Sequence, residues 1–267
     1  MGVINVTPDS FSDGGRFLDP RAAVAHGREL AAQGASVLDV GGESTRPGAE
    51  PVSAAEELGR VIPVIEGLSA ETPEARISID TTKLEVARTA LDAGAEIVND
   101  VSAFRFEPGL AALVAERATG CCLMHMLGEP RTMQEATRYE DVVSEVKAFL
   151  EERLEFALSE GVPEQAVWLD PGIGFGKTVE HNLELLRRID EIVAIGPPVV
   201  IGTSRKSFLG KLAGGRDEDE RLPGTIATNV LALERGARVF RVHDVREVVD
   251  ALAVASATVG PDMGAGA

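Results

Sequence analysis

The 267-residue chain is short of several things, and each shortage excludes a class of function. Its only cysteines are Cys121 and Cys122, adjacent in the chain. Neighbours on a strand point to opposite faces, so a disulfide between them is not expected. Reduced core thiols fit a cytoplasmic protein. Cations are also scarce: 26 Lys and Arg stand against 43 Asp and Glu, a formal net charge of −17. This balance speaks against nucleic acid or an anionic membrane as a partner of the general surface. An anionic substrate would have to be met by a few cations focused locally. No apolar run reaches the length of a membrane span, and no N-terminal signal-peptide pattern is present.

Nucleotide motifs are missing too. The stretch "LDPGIGFGKT" (169–178) ends like a phosphate-binding loop, but the pattern G-x-x-x-x-G-K-[ST] needs a glycine where Pro171 stands. A proline has no N–H to offer a phosphate. The first βα unit has no G-x-G-x-x-G, which removes the dinucleotide fingerprint.

What is present is a rhythm. Short β-branched runs recur as "GVINV" (2–6), "SVLDV" (36–40), "RISID" (76–80), "EIVND" (96–100), "CCLMHM" (121–126), "VWLD" (167–170), "PVVIGTS" (198–204) and "RVFRVH" (238–243). They read as strands. Amphipathic stretches lie between them, among them 21–34, 85–94 and 141–161. Eight strands alternating with helices predict an α/β protein, a single (β/α)8 TIM barrel over 1–267, with a doubly wound open sheet as the alternative. Long loops follow strand one ("TPDSFSDGGRFLDP") and strand two ("GGESTRPGAEPVS"), as lids or binding loops do.

The C-terminal strand ends carry polar residues: Asn5, Asp39, Asp80, Asn99 with Asp100, Met124 to Met126, Asp170, Ser204 to Lys206, and Arg241 with His243 and Asp244. In a barrel these share the face where active sites lie. Period two puts Val239, Arg241 and His243 on one side of strand eight, and Ser78 with Asp80 on one side of strand three, toward the barrel axis. Asp80, Asn99 and Asp170 suit an uncharged, hydrogen-bond-rich heterocycle. Arg46, Lys206, Arg241 and His243 suit a phosphate or carboxylate. Asp39 and Asp100 read as caps or Asx turns. His26 and His181 read as solvated or capping residues, and "RDEDER" (216–221) as a solvated loop and helix start.

Together these motifs resemble one family, the dihydropteroate synthases. The resemblance rests on "MGVINVTPDSFSDGG", "DVGGESTRPGA", "SIDT", "IVNDVS", "LMHM", "LDPGIGFGKT", "GTSRKSFLG" and "RVHDV", in the family's order and over nearly the whole chain. Family members usually carry a segment before the first strand, whereas this sequence enters it at once.

The resemblance implies a TIM barrel that condenses 6-hydroxymethyl-7,8-dihydropterin diphosphate with 4-aminobenzoate in folate synthesis. It also implies Mg2+, a homodimer and the role of a sulfonamide target. Asp80, Asn99, Asp170 and Lys206 would bind pterin, with Met124 and Arg241 flanking the ring. Asn5 would contact Mg2+. Arg241 and His243 would clamp the diphosphate, beside Ser204. Thr45, Pro47, Phe175, Lys206 and Ser207 would surround aminobenzoate. Asp9, Phe11 and Arg46 would close over the substrates on the two long loops. Lys177 would not be a phosphate lysine. Two alternatives are a methyltetrahydrofolate-dependent methyltransferase barrel and a non-catalytic relative.

Overall fold

The computed structural model describes residues 1–7, 19–45, 48–128, 132–133 and 137–259. The element order is β1 (Gly2–Asn5), α1 (Pro20–Ala32), β2 (Val37–Gly41), α2 (Ala54–Glu71), β3 (Arg76–Asp80), α3 (Leu84–Asp92), β4 (Ile97–Asp100), α4 (Gly109–Arg117) and β5 (Gly120–Met124). It continues with α5 (Val142–Ser159), β6 (Val167–Asp170), α6 (Val179–Arg187), α7 (Ile189–Val193), β7 (Val200–Ile201), α8 (Ser207–Leu212), α9 (Leu222–Glu234), β8 (Val239–Phe240) and α10 (Val245–Val259).

The helices begin where side chains can satisfy their free N–H groups. Asp19 accepts from Arg21 N ahead of Pro20, Ser53 from Glu56 N, and Asp141 from Ser144 N. Thr178 and His181 form a reciprocal capping box on α6, as expected of a capping histidine. Asp217 and Glu220 do the same within the acidic run at 216–221.

Strands β1 to β6 pair in parallel in sequence order, and β7 pairs with β8. A parallel bridge between Leu169 and Val199 joins β6 to the start of β7, and one between Gly2 and Val242 joins β8 to β1. Backbone hydrogen bonds from Val3 N to Val242 O (3.0 Å) and from Leu169 N to Pro198 O (3.0 Å) reinforce these seams. The sheet thus returns to its first strand, the barrel expected from the alternation. β7 and β8 are shorter than expected, two residues each, because only single bonds such as Arg241 N to Ile201 O continue beyond them.

Alternation along the strands creates two cores. Ile4, Leu38, Val40, Ile77, Ile79, Val98, Cys121, Leu123, Val167, Leu169, Ile201 and Phe240 pack outward against the helices in one buried apolar cluster. The intervening Val3, Val37, Ile97, Cys122 and Val200 are buried but stand outside that cluster, as inward-facing residues do. The register places Asn5 beside Gly41, Gly41 beside Asp80, Asp80 beside Asn99, and Asn99 beside Cys122. The polar strand ends therefore lie on a common level, on the inward side.

Candidate active site

Inward-facing polar groups at this end of the barrel form one network. Arg241, from beyond β8, donates Nε to Asp39 Oδ2 at 2.6 Å and Nη2 to Asp80 Oδ2 at 2.9 Å. Asn99 Nδ2 lies 3.2 Å and 3.4 Å from the two Asp39 oxygens. Four strands are thereby tied together by side chains. Burial works against the Arg241 charge, but the two carboxylates raise its pKa above the ordinary guanidinium value. Burial pushes the Asp80 carboxyl up to about 7 against the pull of Arg241, and Asp39, Glu57 and Asp100 add to the rise.

Asp39 is where the structure corrects the sequence. It is fully buried at the centre of this network, paired with Arg241 and Asn99, and among the described residues caps no helix. Asp100 does behave as expected: its carboxylate accepts from Ser102 N (2.7 Å) and Phe104 N (2.8 Å) and shapes the turn after β4. Strand parity separates the two. Asp39 falls on the inward side of β2 and Asp100 on the outward side of β4.

The next wall comes from β6 and β7. Asp170 is buried, and its Oδ1 accepts from Gly172 N at 2.7 Å. Burial raises this carboxyl, while the Gly172 N–H and the cations of Lys206, Arg241 and Lys177 hold the rise down. Lys206 Nζ donates to the Ile173 carbonyl and lies 4.4 Å from the Phe175 ring centroid. Burial lowers this ammonium to about 8, with Asp170 opposing. Phe175 packs against a small apolar cluster of Val101, Met124, Met126 and Met133, so Met124 stands beside the polar network. Ser207, the first residue of α8, is exposed.

Ser204 and His243 meet at the seam of β7 and β8. The His243 backbone N donates to Ser204 Oγ at 3.1 Å, and Oγ lies 2.9 Å from His243 Nδ1. Between Ser204 and Lys206, Arg205 adopts φ +58°, a left-handed conformation that costs a side-chain-bearing residue. Its guanidinium binds Asp244 through two bonds of 3.0 and 2.5 Å, its N donates to Thr225 Oγ1, and its O accepts from Arg221. These contacts fix the loop that aims Ser204 and Lys206.

The loop after β2 is held at its base. Glu43 accepts from Val52 N (3.0 Å) and from Lys83 Nζ (2.5 Å), and Lys83 also bonds the fully buried Glu57. Thr45 is half-buried just beyond Glu43. Asp9, Phe11, Arg46 and Pro47 lie outside the described residues. Asn5 ends β1 on the inward side, next to Gly41. Among the described residues no group of three or more His, Cys, Asp or Glu could hold a metal.

Sequence reasoning had set Lys177 aside. The structure buries it, with Nζ 2.9 Å from His125 Nδ1, 2.9 Å from Gly172 O and 3.0 Å from Phe175 O. Its only sequence signal was a lysine beside three glycines in a loop next to the site.

A model of the family described as pterin binding enzyme matches residues 1–243. A dihydropteroate synthase of Synechocystis sp. is 47% identical over 257 residues, covering 96% of this chain and 89% of that protein. The crystal structure of the Yersinia pestis dihydropteroate synthase with a sulfonamide drug superposes with a TM-score of 0.92 at 40% identity, covering 97% and 93% of the two chains. The Xanthomonas albilineans dihydropteroate synthase with 4-aminobenzoic acid gives 0.90 at 48% identity, covering 98% and 93%.

Proposed function

The chain belongs to the pterin binding enzymes, and among them to the dihydropteroate synthases, and from that premise we propose how its own residues carry the reaction. The enzyme condenses 6-hydroxymethyl-7,8-dihydropterin diphosphate with 4-aminobenzoate, yielding 7,8-dihydropteroate and diphosphate in folate biosynthesis. Bond breaking is dissociative: the C–O bond to the exocyclic methylene opens, its electron pair leaves with diphosphate, and the electron-rich pterin shares the positive charge. The aniline nitrogen then forms the new C–N bond and gives up a proton.

In this reading Asp170 and Asn99 take the edge of the pterin ring, and Asp80 and Asp170 stabilise the developing cation. Preset, desolvated charge is worth more here than in water. Arg241, His243 and Ser204 receive the diphosphate. The guanidinium holds its carboxylate partners and meets the anion from the same fork. Lys206, Phe175, Thr45 and Ser207 border aminobenzoate. The Met124 cluster keeps water from the cation. The observation that carries the reading is the Arg241 network with Asp39, Asp80 and Asn99, which sets carboxylates and a cation side by side on the barrel axis.

Mg2+ fits the donor set only as a substrate-borne ion. Asn5 offers a single hard oxygen, and among the described residues no group of three or more His, Cys, Asp or Glu could cage a metal, which matches a cation that keeps waters and phosphate oxygens as ligands. When bound, Mg2+ would neutralise charge on the departing diphosphate. Two free, buried thiols support a reducing, cytoplasmic setting. Val254 on α10 (69% exposed) lies with Val230, Ala251 and Ala255 in a shallow apolar concavity between α9 and α10, edged by Glu234, Asp250 and Thr258, that suits a homodimer. Val254→Asp should convert the dimer to monomer in sedimentation. A sulfonamide should compete for the aminobenzoate ground.

The deciding experiment mixes pterin diphosphate, 4-aminobenzoate and Mg2+ with the protein and follows diphosphate release. Release that requires aminobenzoate supports the reading. No release, or release insensitive to aminobenzoate, overturns it.

A further inference from the structure

Lys177 is 4% exposed; burial pulls its amine well below the ordinary lysine pKa while Asp170 opposes, and in the charged form it has three donors and no acceptor. His125 Nδ1, Gly172 O and Phe175 O use all three. Gly172 and Phe175 are the two ends of one turn, closed by Phe175 N donating to Gly172 O at 3.0 Å. The lysine side chain folds back over the turn that precedes it and ties the carbonyls at both ends. Its partner His125 is kept neutral by burial and by the nearby Lys177 charge, so Nδ1 remains available as an acceptor.

The same turn touches the site at two points. Gly172 N holds Asp170 Oδ1, and the Phe175 ring lies against Lys206. The turn cannot retreat toward β5. Gly172 has φ +67°, and a Cβ there would lie 1.8 Å from the His125 carbonyl oxygen. Gly174 N is pinned by Asn182 Oδ1 at 2.7 Å. Burying an ammonium is costly, and an apolar side chain would fill the space at less expense of free energy. What the ammonium adds is a grip on two carbonyls from one point.

We propose that Lys177 is a positioning residue for the condensation, which sets Asp170 and Phe175 against the two substrates by holding the Gly172 and Phe175 carbonyls. The proposal rests on the dihydropteroate synthase reading above. Lys177 touches neither substrate, because it is buried with every donor committed.

Two variants test it, assayed well below their melting temperatures. Lys177→Met removes the grip, and the KM for aminobenzoate should rise about tenfold, the loss of one charged hydrogen bond's worth of placement. Lys177→Gln removes the charge but keeps an NH2 that can reach carbonyls, so its KM should fall between parent and Met. A residue that only plugs the core would lower melting temperature in both variants and leave KM at the parent value, which overturns the proposal. So would equal KM values for Gln and Met, which would point to charge alone. Should Lys177→Met fail to fold, the Gln variant decides: a raised KM supports the proposal and a parental KM sinks it. An inactive parent would overturn the functional reading and the proposal with it.

Discussion

Arg241 and Asp39 stand 202 positions apart in the chain and meet at 2.6 Å inside the barrel, Nε to Oδ2. With Asp80 on the same guanidinium, the cation assigned to the diphosphate is also a structural tie between β8, β2 and β3. Arg241→Ala should therefore do two things. It should abolish binding of the diphosphate substrate. It should also cost about 3 kcal/mol of stability or more, because two inward carboxylates lose their partner. Calorimetry and thermal melts on one sample check both. Unchanged melting would show that the pairing contributes nothing to the fold.

Asp39 and Asp100 should respond differently to the same chemical change. Asp39→Asn breaks a charged contact to Arg241, so pterin diphosphate affinity should fall. Asp100→Asn removes one of two acceptors serving Ser102 N and Phe104 N, which should cost about 1–3 kcal/mol of stability with affinity untouched. Finding the affinity loss in the Asp100 variant instead would reverse the assignment.

Asp80 should leave a signature in the pH dependence of stability. Burial raises its pKa from 3.8 to about 7 in the fold. Between these values the folded state keeps a proton that the unfolded chain has released. Its contribution to stability is present in full below about 4, is lost as pH climbs toward 7, and is flat above. The Asp80→Asn variant lacks this loss. Its melting temperature minus that of the parent should rise from pH 4 to 7 and then level. A constant or falling difference would rule the shift out.

Asp170 is both anchor and turn former, since one oxygen already holds Gly172 N. Asp170→Asn can keep that bond through its amide oxygen while losing the second acceptor and the charge. Pterin affinity should fall by about 10- to 150-fold, for roughly 1.5–3 kcal/mol, with little change in melting temperature. Lower stability with parental affinity would make the residue a turn former alone.

The fold was legible because its signals are local and repeated. Eight β-branched runs marked the strands, and amphipathic stretches such as 141–161 marked the helices. β7 and β8 were overread because the runs "PVVIGTS" and "RVFRVH" extend beyond the two residues of each that pair regularly. The convergence of Asp80, Asn99, Asp170 and Arg241 on the inward side of the barrel was legible because each follows an apolar run at a strand end; their roles toward substrate belong to the proposed function. Asp39 was misread because an aspartate near a strand end fits a cap equally well; applying the period of two to "VLDVG" would have placed it inward with Gly41. Lys177 was not legible at all. Its partners are two carbonyls and a ring nitrogen, and no residue spacing encodes where backbone oxygens will point.

The turn at 172–175 aims two carbonyl oxygens at a lysine amine, the reverse of a loop that wraps N–H groups around a phosphate. The two solutions share a glycine-rich spelling because both bend the backbone tightly about a small ionic centre, yet their inner linings have opposite polarity. Pro171→Gly would complete the nucleotide-binding spelling in this chain and still leave an interior that repels phosphate. A sequence search would then report an ATP site where the molecule holds its own lysine.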